Sequence, residues 1–148
     1  MKWINHKILT FSIIWTITDS ITAGIISAFG SIFPDAIEFF VYYIFPLKRT
    51  HRTWSHWFVI YLIPLILISI SHYLILNQTF AFFIKFFLIG ALFHIAEDSI
   101  TGKVPGIILK KKIGFRFFKT GSFEEYLFTL SLIHISEPTR PRLISYAV

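Results

Sequence analysis

Long apolar stretches, broken by short polar or basic ones, set the pattern of this chain. The first run, residues 8–17, follows Lys2, His6 and Lys7 as the core of a signal peptide would. No small-residue cleavage site comes after it, and Asp19 arrives instead. Residues 6–33 admit two readings. One is a single spanning helix over 8–29. The other is a hairpin of two short helices, 6–18 and 20–33, turned at Thr18-Asp19-Ser20. At 1.5 Å rise per residue each short helix reaches about 20 Å, less than the hydrocarbon core of about 30 Å. The hairpin is preferred because it places Asp19 at a turn. It also lines Gly24, Ala28, Ser31 and Asp35 near one face, small enough for close helix contact. Pro34 disfavours helical geometry at Phe33, so a break is expected there.

Residues 36–47, AIEFFVYYIFPL, are apolar but too short to span. They read as a re-entrant or interfacial segment with a Tyr/Phe belt. A basic loop, LKRTHRTWSHW, leads into a spanning helix over 57–76, whose Pro64 a membrane bundle tolerates. His72 on it reads as a polar contact near the far leaflet. Asn77-Gln78 turns the chain, and residues 79–99 return, with Lys85 placed to snorkel. Residues 102–122 carry Lys103, Lys110, Lys111, Lys112, Arg116 and Lys119 among apolar neighbours and read as an interfacial loop on anionic lipid. An apolar segment over 126–135 then stops at SEPTRPRLISYAV. The fold class expected is all-α: a polytopic membrane helix bundle with a short N-terminal helical hairpin, a re-entrant or interfacial segment and two full spanning helices. Residues 1–135 are expected to form one membrane-embedded domain and 136–148 a polar tail. The stretch SLIHISEPTRPRLISYAV also resembles translated sequencing-adapter DNA. The natural protein is therefore expected to diverge near Leu130 and continue as a further membrane helix, the alternative being a genuine polar tail.

Composition supports the membrane reading. Of 148 residues, 55% are hydrophobic and only 15% charged. A soluble domain of this length has too little interior for so much apolar side chain. There is no Cys, so any metal must be held by His, Asp or Glu. The net charge of +6 marks cytoplasmic loops in a membrane protein more naturally than a nucleic-acid surface. With the hairpin, Lys2, Lys7, Lys48, Arg49, Arg52 and the 103–119 cluster fall on one side. Asp19, Asn77, Gln78 and Lys85 fall on the other. The basic side is expected to be cytoplasmic.

The stretch GALFHIAEDSIT, residues 90–101, brings chemistry into this pattern. His94 and Asp98 are one helical turn apart on one face, with Gly90 and Thr101 beside them. A carboxylate near hydrocarbon is costly without a partner, a proton or a metal. One reading is a helix-end Asp at the headgroup level with a hydrogen-bonded His; the other is a metal site. His6, Asp35, His51, His56, His94 and Asp98 all fall at the same ends of their helices in the hairpin topology. His51 and His56, five apart, do not share a helix face, so one of them needs loop geometry. Three or four such ligands suit a divalent ion such as Zn²⁺, and six can hold two ions around a phosphoester. Arg52 would neutralise a phosphate, orient a carboxylate, or simply add to the basic side.

The segments NHKILTFS, FPDAIE, HRTWSH, GALFHIAEDSIT and GSFEE, in this order, cover roughly residues 5–130. They resemble the pattern of a LexA-regulated, inner-membrane-associated family of small metal-dependent hydrolases. That pattern is an N-terminal His, then PDxD, HRGxTHS, HxxxD followed by Thr, and Gly-x-x-x-Glu. This chain has Ile37 at the second Asp position with Glu38 next to it. It has Thr53, Ser55 and Trp57 within the HRGxTHS segment. The resemblance implies a metal-dependent hydrolase, with a second metal resting on substitution by Glu38. Regulation by the DNA-damage repressor would be a property of the promoter.

The expected function is a hydrolase of a bacterial inner membrane, multi-pass, with a His/Asp metal site at the cytoplasmic interface. A divalent ion, zinc, one or two, would lower the pKa of water for attack on an ester or phosphoester. His94, Asp98, His56 and Asp35 are the leading ligands, His6 and His51 come next, and Glu125 and Arg52 are the candidate catalytic residues. The interfacial site suggests a lipid or small amphiphile as substrate, with membrane lipids around it. No nucleic-acid partner is expected, since no recognition motif accompanies the basic loops. The alternative is a non-catalytic membrane protein whose His/Asp set only ties helices together.

Overall fold

A computed structural model describes residues 1–45, 51–71 and 77–136. Lys48, Arg49, His72, the end of the expected 57–76 helix and the tail after residue 136 lie outside them. The chain begins with helix α1, Trp3–Thr18, which has neither Gly nor Pro to interrupt it. It ends on Asp19 in the left-handed conformation (φ 52°), one that Asp adopts more readily than most residues. Ser20 then caps helix α2, Ile21–Gly30, its hydroxyl accepting from the N–H of Ala23 at 3.2 Å. The turn thus lies where Asp19 placed it, and α2 packs back on α1 with Gly24 against the Phe11 ring.

The next break is not at Phe33. The turn falls at Ser31–Ile32, and helix α3, Phe33–Ile44, starts before Pro34 rather than after it. The physical reason is that a proline in the first helical turn gives up an N–H that would have no partner there. The same first turn holds Asp35, whose charge the helix N-terminus favours. Because only two residues separate α2 from α3, Ile21–Ile44 is together long and apolar enough to cross a membrane. Gln78–Thr101, helix α5, also passes that test. Between them come a 3₁₀ turn, Trp54–His56, and helix α4, Val59–Ser71, which contains Pro64. After α5 a small antiparallel hairpin pairs β1, Val104–Pro105, with β2, Lys112–Ile113. Helix α6, Phe123–Ser136, follows and packs on α1.

Helices α2 and α5 meet backbone to backbone. A Cβ added at Gly30 would stand 2.0 Å from the Phe87 carbonyl oxygen, and one at Gly90 would stand 1.9 Å from that of Ser27. Ser27 closes the contact by donating from Oγ to the Phe86 carbonyl at 2.9 Å. Small residues at such crossings are how helices pack where no water drives them together.

Beside a small apolar core that includes Leu9, Tyr61, Ala91 and Ile95, the burial departs from that of a water-soluble protein. Asn5, His6, Thr10, Ser27, Glu97 and Asp98 are buried, while Ile17, Phe29 and Leu67 are 73%, 66% and 60% exposed. An apolar solvent accounts for both halves of this. It leaves outward Ile and Phe at no cost, and it drives polar side chains inward to find one another.

Candidate metal centre

Three elements deliver side chains to one point. The first turn of α3 supplies Asp35, the 3₁₀ turn supplies His56, and the last two turns of α5 supply His94 and Asp98. Helix α5 does so because its 3.6-residue period stacks Gly90, His94, Asp98 and Thr101, and all four are buried. His56 Nε2 lies 3.2 Å from His94 Nε2 and 3.2 Å from Asp35 Oδ1. It lies 3.4 Å from Asp98 Oδ2. His94 Nε2 lies 3.6 Å from Asp35 Oδ1 and 3.7 Å from Asp98 Oδ2. Five of the six separations among these four atoms thus lie between 3.2 and 3.7 Å. Zinc bonds of about 2.0–2.1 Å give tetrahedral edges of about 3.3 Å.

Helix α1 adds His6, whose ring stacks on that of His94 with centroids 4.0 Å apart. His6 Nε2 lies 3.3 Å from Asp98 Oδ1. Neither it nor Asp35 Oδ1 makes a hydrogen bond among the described residues. A buried nitrogen and a buried oxygen left this way are costly unless a cation or water serves them. His6, His94 and Asp98 form one triad whose ligand atoms lie within 4.8 Å of one another, and Asp35, His51 and His56 form a second. The donor set therefore fits a divalent ion, and the two adjoining triads leave room for a second.

The outward-facing atoms of His56, Asp35 and His6 are held as well, while His94 Nδ1 makes no hydrogen bond among the described residues. His56 Nδ1 lies 2.9 Å from Ser55 Oγ and 3.4 Å from Glu38 Oε2, and Ser55 donates to Glu38 at 2.7 Å. The Trp3 indole N–H donates to Asp35 Oδ2 at 2.7 Å, which turns Oδ1 toward the histidines. His6 Nδ1 lies 2.5 Å from Glu97 Oε2, and Thr10 donates to the other Glu97 oxygen at 3.1 Å. Such partners fix ring tautomer and orientation around metals. Burial opposes charge on His56. Asp35, Asp98 and Glu38 outweigh it and raise its pKa to about 10, so the surroundings favour positive charge.

A family model of the YdjM inner membrane protein matches residues 1–139. The chain belongs to the YdjM inner membrane protein family. No curated protein and no solved structure matches it. Inner-membrane residence fits the apolar exterior and the two long apolar helices.

In this YdjM-family chain the other expected site residues divide. His51 stands at the rim, its side chain 60% exposed and its Nδ1 3.2 Å from Glu38 Oε1. Glu38, beside Ile37, reaches both histidines of the segment, His51 through Oε1 and His56 Nδ1 through Oε2 at 3.4 Å. Arg52 holds Asp98 with a two-pronged grip, Nε 2.8 Å from Oδ2 and Nη2 2.9 Å from Oδ1. Its backbone is left-handed (φ 58°), and a Cβ at Gly102 would stand 1.5 Å from its Nη1. The Met1 amino group also bonds Asp98. Glu125 is placed elsewhere. Its fully buried carboxylate accepts from the Lys2 N–H at 2.8 Å, the Asn5 amide at 2.5 Å and the Gly121 N–H at 2.7 Å. Those donors hold its pKa below the ordinary value although burial pushes the other way. It fastens α6 to the start of α1. Glu97 was missed by reading the sequence, although its i+3 spacing from His94 was a usable signal.

Proposed function

We propose that this protein is a metal-dependent hydrolase embedded in the inner membrane, with its site on the cytoplasmic side. The observation that carries the reading is the convergence of His56 Nε2 and His94 Nε2 on each other and on Asp35 Oδ1 and Asp98 Oδ2, at 3.2–3.7 Å. These four would hold a divalent ion, zinc by donor type and geometry. His6 and His51 would extend the set toward a second ion. When bound, such an ion lowers the pKa of water and polarises an ester or phosphoester oxygen. The chain's own groups do the rest. Glu38 and Ser55 hold the His56 ring, Trp3 holds Asp35, and Glu97 holds His6, so that lone pairs converge. Arg52 orients Asp98 and brings positive charge to where an anionic substrate would lie. The cytoplasmic orientation and the multi-pass topology rest on the one-sided basic residues, Lys2, Lys7, Arg52 and the 103–119 cluster.

A second reading has an observation of its own. Arg52 and the Met1 amino group already engage the Asp98 carboxylate, as in a charge network that only ties α1, the 3₁₀ turn and α5 together. Metal content of the purified protein, with hydrolysis of a phosphoester and lipid panel, separates the two. The hydrolase reading expects about one or two zinc ions per chain and turnover abolished by His94→Ala. Protein that takes up no metal and turns over nothing refutes it and leaves the structural network.

A further inference from the structure

Beside the metal centre lies a cavity of about 290 Å³, lined by Trp3, Asp35, Glu38, Phe39, Tyr42 and His51. Its lining therefore joins acid and imidazole, with Asp35 and His51 of the proposed ligand set, to the aromatic rings of Trp3, Phe39 and Tyr42. The aromatic wall does not stop at the cavity. Phe39 stacks on Tyr43, with centroids 6.3 Å apart and planes at 16°. Phe40, Tyr43, Ile44 and Phe45 carry an exposed apolar stripe along α3 to its end. In an apolar solvent that stripe is continuous with the lipid chains.

The rim adds positive charge. The turn over residues 106–111, which joins β1 to β2, is tied down by the Trp57 indole, which donates to the Gly106 and Ile107 carbonyls at 3.1 and 3.2 Å. This tether brings Lys112 over the site, its ammonium 3.5 Å from the His51 carbonyl. Lys110 and Lys111 precede it, while Ile107 and Ile108 are exposed at the tip. A cation beside His51, proposed metal ligands in the cavity lining and an exposed apolar stripe along α3 together describe an anionic headgroup on a hydrocarbon chain.

We propose that the substrate is a phosphate monoester carried on a hydrocarbon chain, with the phosphate at Lys112, Arg52 and the metal ligands and the chain on the Trp3–Phe39–Tyr42 wall. The proposal rests on the hydrolase reading above. The balanced reaction takes one water: its oxygen bonds to phosphorus and the phosphorus–oxygen bond to the chain breaks. The departing oxygen takes a proton from the water, and the products are inorganic phosphate and a lipid alcohol.

The test uses the full chain in detergent, loaded with zinc, and two substrates with one headgroup chemistry: glycerol 3-phosphate and dioleoyl phosphatidic acid in mixed micelles. Phosphate release is expected with kcat/KM at least about tenfold higher for the long-chain ester, since burial of its methylenes favours binding. Phe39→Ala should narrow that ratio at least about threefold while Phe39→Leu keeps it, and Lys112→Gln should raise KM for both esters. Equal kcat/KM for the two esters overturns this substrate class while leaving the hydrolase standing. Phosphate release from neither, with zinc bound, overturns the phosphate-monoester substrate, and the hydrolase reading is then decided separately by the metal-content and ester-panel test above.

Discussion

Replacing Gly90 with alanine tests whether helix packing sets the geometry of the metal centre. The new Cβ would stand 1.9 Å from the Ser27 carbonyl oxygen and 2.7 Å from its carbon, where ordinary contact begins at 3.4 Å. Helices α2 and α5 must therefore part by about 1.5 Å, because the obstacle is backbone and cannot swing aside. His94 is one turn beyond Gly90 on α5, and Asp35 follows α2 after the short turn, so the two ligands ride on the two helices being separated. Metal–ligand bonds tolerate about 0.2 Å. A shift several times larger removes at least one ligand from reach, and zinc affinity should fall by at least about tenfold. The assay is zinc titration against a competing chelator in detergent, with circular dichroism to establish that the helices persist. Gly24→Ala is the control, since its Cβ meets the Phe11 ring at 3.0 Å and the Phe11 carbonyl oxygen at 3.2 Å, so that a shift of a few tenths of an ångström suffices. Its zinc affinity should stay within about threefold of wild type. A folded Gly90→Ala protein that binds zinc as wild type does would refute the reasoning.

Three further outcomes are expected. Glu97→Ala should weaken zinc binding by about ten- to a hundredfold, with Glu97→Gln recovering part of it, because the Gln oxygen can still accept from His6 Nδ1; cobalt-substituted spectra that do not change in either variant would remove Glu97 from the site. Glu125 has a folded pKa below its ordinary value of 4.5, so its stabilisation is present above about 4.5 and is lost as pH falls through the folded value. The Tm of wild type should then exceed that of Glu125→Gln at pH 7 and converge with it in acid, and a gap that persists in acid would argue against the carboxylate. A periplasmic reporter fused at Asn77 should be active and a cytoplasmic one silent; the opposite pattern inverts the topology.

The hairpin was legible because Asp19 is costly inside a membrane helix and cheap at a left-handed turn, and the structure puts it there. The convergence of Asp35, His56, His94 and Asp98 followed from that one turn. His51 and His56, five apart, were rightly kept off one helix face, since only His56 is in the 3₁₀ turn. The start of α3 was misplaced because Pro34 was read as a barrier to the residue before it, when a first-turn proline is compatible with a helix. Glu125 was read as chemistry because it is an acid in a family-like segment. Its partners, Lys2 and Asn5, lie 123 and 120 residues away in sequence, and no local pattern can reveal such a pairing. The role of Glu97 likewise rests on a partner, His6, that lies 91 residues away in sequence.

The pairing of His6 with Glu97 also bears on how the protein is made. The two side chains meet across 91 residues of chain, so α1 leaves the ribosome long before α5 can offer its carboxylate. At a few to twenty residues per second that interval lasts at least several seconds. Through it α1 carries Asn5, His6 and Thr10 with no interior to receive them, and α5 later arrives with Glu97 and Asp98 in the same state. Each helix is a poor passenger alone and a good one in the other's company. Assembly therefore waits for the second half of the chain, and a nascent protein halted before residue 97 presents the membrane's quality-control proteases with unpaired polar side chains in lipid.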